Sequence, residues 1–241
     1  MARSAAAAAL CVAVATAAAS PEAAPGRPLP FEGPKLARWL VSQTTWGTIA
    51  TISNAHDSGS NGTAWANPQS FSDGIANSTN PKERSTGTPY FFMTGLDVSG
   101  LGLQLCVFLR RSSQKVAAQE TPQDLMLNPR GAFSISESQI NGDPTCQKTD
   151  TEDPTCARIS FSGRFVDVTS TGSDEENAFA LKALLSKHPS MAGWGKPGKG
   201  EHDFHIWKLD IESIFFLAFY GGSAPMTPAK YFAAGPDQLA F

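Results

Sequence analysis

Several signals are missing or scarce in this 241-residue chain, and each absence excludes a class of protein. The net charge is only −3, which argues against nucleic acid or an anionic membrane surface as a main partner. No apolar run after the first residues is long enough to span a bilayer, because residues 211–220 are interrupted and flanked by acidic residues and glycines. We therefore expect no membrane span and no nucleic-acid partner.

Sequence motifs for catalysis are also absent. The chain has no G-x-S-x-G nucleophile elbow, no G-x-G-x-x-G and no P-loop, and its cysteines and histidines lack the spacing of a structural zinc site. His202 and His205 are three residues apart, but a strand would direct them to opposite faces. We therefore predict no catalytic, cofactor-binding or metal-ligating residues.

The N-terminus is typical of a secretory signal peptide over residues 1–19. Arg3 supplies a positive start, residues 5–15 are apolar, and residues 17–19 offer a small-residue cleavage site. An organellar transit peptide is the alternative, although such peptides carry more arginine. The proline-rich residues 20–33 follow as an extended arm.

The cysteines and sequons fit an oxidising compartment. Cys146 and Cys156 are close in sequence, and each is flanked by an Asp-Pro turn, so we predict a hairpin-end disulfide between them. Asn61 and Asn77 both lie in sequons within one stretch rich in glycine, serine, asparagine and proline. Because a signal peptide precedes this loop, we predict N-glycosylation at both residues.

A long amphipathic strand over residues 156–168 carries the clearest structural pattern. Apolar side chains alternate with polar ones up to Phe165, which indicates a strand with one face on a core and one toward water. Val166 and Val168 break the alternation, so we expect a bulge or a change of neighbour there. Gly163 suits a bend where a sheet curls into a barrel. Arg158 and Arg164 lie on the polar face.

Six further segments have strand character, and two have helical character. The segment over 173–188 has the stronger helix signals, because Ser173 and Glu176 form a capping pattern and Pro189 follows its end. The residues predicted to form its buried stripe are Ala178, Leu181, Leu184 and Leu185. The fold class is therefore mainly β (α+β), a small closed antiparallel barrel with helices packed outside it. The other segments are a helix over 35–45 and strands over 46–53, 69–72, 89–94, 131–136, 204–209 and 212–220.

Eight short motifs occur in an order that resembles the CREG family of secreted glycoproteins. They span residues 34–232, which we take as one domain, with 233–241 as a tail. The motifs are ARWLV (37–41), WGTIATIS (46–53), SFSDG (70–74), PYFF (89–92), CARISFSG (156–163), KHPSM (187–191), FYGG (219–222) and TPAKY (227–231). Residues 98–118 depart from the family pattern as an atypical insertion that contains Cys106.

The resemblance implies a six-stranded antiparallel split β-barrel, similar to pyridoxamine-phosphate oxidases and usually a homodimer. It also implies secretion or delivery to endosomes and lysosomes, with no established catalysis. The resemblance further implies a role in growth and differentiation or in lysosomes. This role would be exerted by binding to a receptor that recognises glycans or proteins. An FMN-dependent oxidoreductase is the alternative function. The strands 69–72 and 89–94 carry no lysine or arginine for a flavin phosphate, which favours a barrel without the cofactor.

Overall fold

The computed structural model describes residues 26–54, 61–75, 78–80, 83–94, 120–140, 146, 150–194, 204–223 and 225–235. The predicted signal peptide, residues 98–118 with Cys106, and Asn77 lie outside these residues. The strands are β1 (Trp46–Ile52), β2 (Ala64–Ser72), β3 (Tyr90–Thr94), β4 (Arg130–Ser136), β5 (Arg158–Asp167) and β6 (Phe204–Leu217). The helices are α1 (Gly33–Gln43), α2 (Glu120–Leu127), α3 (Val168–Thr171), α4 (Asp174–Lys187) and α5 (Pro228–Ala233), with short 3₁₀ turns at Glu137–Gln139 and Pro189–Gly193.

The six strands form a closed antiparallel barrel in the order β1-β2-β3-β6-β5-β4, and β1 pairs with β4 to complete it. The predicted six-stranded barrel with flanking helices is confirmed. The prediction for β2 was too short, because this strand begins at Ala64 rather than near residue 69. Pro68 obscured the strand pattern, but it pairs in register with Thr48 of β1.

The bulge lies three residues before the predicted position, and the extra residue belongs to the partner strand. Ser162 pairs with Ser213 and Gly163 with Ile211, so Glu212 of β6 is the inserted residue. A Cβ atom on Gly163 would lie 2.0 Å from the carbonyl oxygen of Asp210, which explains why glycine occupies this position. The pattern breaks at residue 168 because Val168 leaves the barrel and begins α3.

Two hydrophobic cores meet at β3. Its inward residues Phe91 and Met93 are fully buried with the barrel core, which also contains α1 and Tyr231. Its outward residues Tyr90 and Phe92 are buried in a second core with residues of α4, α3 and β6. This short strand therefore has no solvent-facing side, which accounts for its unbroken apolar sequence.

Helix α4 begins as the sequence predicts, but a different stripe is buried. The Ser173 side chain accepts a hydrogen bond from the Glu176 amide and caps the helix. Ala178 is exposed, and the fully buried residues are Ala180, Ala183 and Leu184, with Leu181 and Leu185 packed at the margin. The small alanines let the helix approach β3 closely, so the buried stripe is narrower and less leucine-rich than predicted.

The proline-rich arm is attached to the barrel by a buried ion pair. The Arg27 guanidinium bonds both carboxylate oxygens of Glu137, with an Nη2–Oε2 distance of 2.9 Å. The side chains are only 5% and 0% exposed. Arg27 also donates to the Thr155 carbonyl, and Glu137 accepts from the Ala157 amide at 2.8 Å. The arm is thereby anchored where β5 begins.

Strand β6 joins the segments 204–209 and 212–220, which the sequence predicts separately, into one strand, and its apolar end is only partly buried. Phe216 and Leu217 are buried, while Phe215, Phe219 and Tyr220 expose at least half of their surface. The strand lies between β3 and β5, so it is central in the barrel and still presents aromatic rings to solvent. Within the described ranges, none of the helices is long and apolar enough to cross a bilayer.

Candidate functional site

The modification sites predicted from sequence occupy different parts of the molecule. The structure joins Cys146 and Cys156 in a disulfide with a Cα–Cα distance of 5.1 Å, as predicted. Both residues are buried, and Cys156 lies just before β5. Asn61 is exposed in a turn that precedes β2, so its amide is accessible to a glycosylating enzyme. The predicted sequon at Asn77 cannot be placed, since it lies outside the described residues.

Arg158 and Arg164 lie on the outer surface of the barrel, not in its interior. Arg158 is half-buried and donates to the Thr151 carbonyl at 3.1 Å. Arg164 is exposed and pairs in register with Arg130 and Asp210. Because the two arginines stand six residues apart on one strand, they do not converge on a shared anion site.

The outer face of β1, β4, β5 and β6 is formed by small side chains, and we call it the serine face. Thr48, Ser134, Ser160 and Phe215 form one row across the four strands, with 2.9 Å between the Ser134 and Ser160 hydroxyl oxygens. A second row consists of Ala50, Ala132, Ser162 and Ser213. These side chains are exposed or half-buried. Exposed Trp46 and Ile52 lie at the two ends of β1.

The strands expected from sequence to hold a flavin phosphate offer no charged donor for it. Strands β2 and β3 carry no basic side chain. Lys208, which pairs with Tyr90 of β3, already bonds Glu176 at 2.8 Å. Tyr90 also donates its hydroxyl to Glu176 at 3.1 Å, and burial together with this carboxylate raises its pKa. The positive charge of Lys208 is thus neutralised by the Glu176 carboxylate.

A buried polar cluster joins four parts of the chain that are distant in sequence. The Asp73 carboxylate accepts hydrogen bonds from the Ser85 hydroxyl and from the Gly87 amide, the latter at 3.3 Å. Lys187, at the end of α4, lies 3.4 Å from Asp73 and donates to the Thr44 carbonyl at 3.0 Å. Burial lowers the pKa of Lys187, while the Asp73 carboxylate acts in the opposite direction.

Arg38 extends this cluster toward the C-terminal helix. It is 1% exposed and donates to the Ser85 carbonyl at 2.6 Å. Its guanidinium carbon lies 5.3 Å from the centroid of the Tyr231 ring, and the Tyr231 hydroxyl donates to the Gly87 carbonyl at 2.9 Å. Burial raises the pKa of Tyr231. The cluster therefore ties α1, the loop before β3, α4 and α5 together.

Sequence reasoning missed this cluster. Locally, Asp73 and Gly74 form a turn dipeptide, and Lys187 is a basic residue that complements the C-terminal end of α4. These local patterns do not bring the two residues together. The only local sign is Arg38, a charged residue between the apolar Ala37 and Trp39 of α1.

A cavity of about 290 Å³ opens beside the cluster. It lies between the C-terminal ends of α1 and α4 and the chain that links β2 to β3. Its polar lining includes Asp73, Ser78, Thr79, Arg84, Ser85 and Lys187. No group of three or more metal-ligating side chains occurs in the part of the chain that the structure describes.

Comparison with known proteins identifies the family. A family profile described as CREG, beta-barrel matches residues 28–104 and 115–233. The chain belongs to the CREG family. The match omits residues 105–114, which fall within the atypical segment 98–118. Family membership agrees with the motif order and with the closed barrel.

Two curated CREG proteins illustrate the similarity. Protein CREG1 of Gallus gallus is 30% identical over 211 residues, which cover 87% of this chain and 90% of that protein. Protein CREG2 of Homo sapiens is 31% identical over 210 residues, covering 85% of this chain but 58% of that longer protein. The CREG1 relative therefore matches this chain over nearly its whole length.

Solved structures support the fold at lower sequence identity. A heme binding protein from Mycobacterium smegmatis is 19% identical with a TM-score of 0.53, and the match covers 86% of this chain and 61% of that one. Protein Atu2129 from Agrobacterium tumefaciens, of unknown function, is 16% identical with a TM-score of 0.51, covering 85% and 62%. These similarities establish a shared barrel and carry no ligand over to this CREG chain.

Proposed function

We propose that this CREG protein is a secreted or endolysosomal glycoprotein that acts by binding protein or receptor partners, in growth and differentiation or in lysosomal roles, and not by catalysis. The observation that carries this proposal is the serine face, an open surface on four strands whose two central rows contain no charged side chain. The signal-peptide pattern and the disulfide support an oxidising compartment. Asn61 and Asn77 are the expected glycan sites.

The serine face is proposed to pair with a second copy of the chain. Small side chains allow two sheets to approach face to face, and the central rows place no charge opposite a like charge. A two-fold contact of this kind presents the same patch from both partners, so hydroxyl rows meet hydroxyl rows. The aromatic Trp46 and Phe215 supply apolar area toward the margins.

The dimer is tested by a single bulky charge at the centre of the serine face. Ser160→Arg should halve the mass measured by light scattering without changing the circular dichroism spectrum, because this side chain points outward and the monomer would lose only its hydrogen bond with Ser134. Ser186→Arg, at an exposed position on α4, is the matched control and should leave the mass unchanged. A wild-type monomer, or an unchanged mass in Ser160→Arg, would reject this interface.

The non-catalytic role is tested on the same protein expressed in secreting cells. We expect it in the medium, carrying glycans that peptide-N-glycosidase removes, and with no visible absorbance. The paired Lys208 and the absence of basic residues on β2 and β3 favour this result over the FMN-dependent alternative. A yellow protein with near-stoichiometric flavin absorbance would overturn the proposal.

A further inference from the structure

The buried polar cluster beside the cavity contains more positive than negative charge. Lys187 lines the cavity with a side chain that is 9% exposed, Arg38 lies in the cluster behind the cavity wall and is 1% exposed, and Asp73 is the carboxylate between them. Arg38 reaches Asp73 only through Ser85, and its Nε atom is buried without a hydrogen-bond partner among the described residues. Burying two cations with one carboxylate leaves about one uncompensated charge, which an anion would neutralise.

The acceptor capacity of Asp73 is already committed to protein groups. Its Oδ2 atom receives the Ser85 hydroxyl and the Gly87 amide, and its Oδ1 atom faces Lys187. The carboxylate is thus shielded by three donors and repels an incoming anion less than an unpaired carboxylate would. Arg84 adds a further cation to the cavity wall, where its Nε donates to the Ser78 carbonyl at 2.9 Å.

We propose that this cavity is a binding site for a small oxyanion, namely inorganic phosphate or the phosphate group of a phosphomonoester. Arg84 and Lys187 supply charge and Thr79 lines the same space, whereas the Ser78 hydroxyl already donates to Glu83 at 3.0 Å. Hydrogen bonds from charged donors to phosphate oxygens are the strong class of such contacts. The volume of about 290 Å³ lies at the lower limit of ligand pockets, which excludes an entire flavin and favours a compact group.

The site should select anions over the rest of the protein surface, because Arg84 and Lys187 concentrate positive charge at the cavity wall. The whole chain has a net charge of −3, so a general attraction of anions to the surface is not expected. The Lys187 side chain is only 9% exposed, and this low solvent access strengthens its contact with an anion. An anion there would also favour the charged form of Lys187, whose pKa burial lowers. The proposal is independent of the partner-binding function and of the dimer.

The test is a calorimetric and thermal titration of the full chain with sodium phosphate, with sodium chloride at matched ionic strength as the reference. Phosphate should bind saturably and raise the melting temperature, because a ligand bound only to the native state stabilises it. Arg84→Gln should weaken phosphate binding at least about tenfold, since one charged donor is lost. Lys182→Gln is the control. Lys182 lies on α4, the same helix as Lys187, but it pairs with Glu83 and does not line the cavity.

Lys187→Met is a second variant that removes a cation from the cavity wall. If the loss of the Lys187–Asp73 contact prevents this variant from folding, Arg84→Gln alone decides whether the cavity binds phosphate. Phenyl phosphate distinguishes the two sources of the anion. Binding as tight as that of inorganic phosphate assigns a phosphomonoester, and binding of inorganic phosphate alone assigns the free ion. The proposal is overturned if phosphate behaves like chloride, or if Arg84→Gln and Lys182→Gln bind phosphate equally well.

Discussion

Replacing Arg27 by methionine would remove the cation from a fully buried ion pair. Methionine retains a long apolar side chain, so the main change is the loss of charge opposite Glu137, whose side chain is 0% exposed. The carboxylate would keep its bond from the Ala157 amide but lose both guanidinium contacts. Removing one partner of a buried pair costs about 3–5 kcal/mol, because the other charge stays uncompensated.

A domain of this size shifts its melting temperature by about 2–4 °C per kcal/mol, so the expected decrease for Arg27→Met is about 6–20 °C. The double variant Arg27→Met/Glu137→Gln should lose only about 1–2 kcal/mol, since the neutral amide can still accept from Ala157. Lys35→Met is the matched control. Its ion pair with Glu32 is 37% and 32% exposed, so its loss should cost at most about 1 kcal/mol.

Urea unfolding followed by tryptophan fluorescence measures all four proteins under one protocol. The reasoning predicts that the double variant is more stable than Arg27→Met alone. If Arg27→Met were no less stable than Lys35→Met, the pair would not anchor the arm. A chain that begins at residue 34 lacks Arg27 and should be at least as destabilised as the single variant.

Three further predictions concern other parts of the fold. Cys156→Ser removes the disulfide between two cysteines 10 positions apart and should lower the free energy of unfolding by about 2–3 kcal/mol. A thiol titration should detect two additional thiols in the wild-type protein only after reduction. Gly163→Ala should cost at least about 2 kcal/mol in urea unfolding, because the added Cβ meets strand backbone, whereas Gly193→Ala, with open space around it, should be neutral. Burial opposes ionisation of Asp167, but hydrogen bonds, led by the one with His205, lower the pKa of its carboxyl below the ordinary value of about 3.9. The Asp167 carboxylate therefore contributes to the free energy of unfolding above that pH. This contribution is lost as the pH falls through the lower pKa of the folded state. Asp167→Asn should therefore cost about 1 kcal/mol at pH 6 and little at pH 2; an equal loss at both would refute the charge argument.

The barrel was predictable because its signals are local. Alternation in β5 and the Ser173 cap on α4 arise from residues a few positions apart, and each predicts its element without knowledge of the rest. Errors occurred where a partner strand or helix decides the outcome. Pro68 lies in β2 because β1 supplies a continuous ladder, and Ala178 is exposed because α4 is oriented by its contact with β3.

The buried cluster could not be derived from the sequence. Asp73 and Lys187 are separated by 114 positions, and only the closed barrel brings their segments together. The same holds for Arg27 and Glu137, which are 110 positions apart. A charged residue has no periodic signature, so its burial is visible only when the surrounding elements are in place. The disulfide was predictable because its two cysteines are only 10 positions apart.

The position of β3 between two cores determines how the molecule can unfold. Phe91 and Met93 hold it in the barrel, while Tyr90 and Phe92 hold α4 against its other side. Neither core can open without exposing this strand, so the barrel and the helix layer form one cooperative unit. Amide protons of β3 and of the buried face of α4 should then exchange with deuterium through the same global opening, at rates set by the total stability.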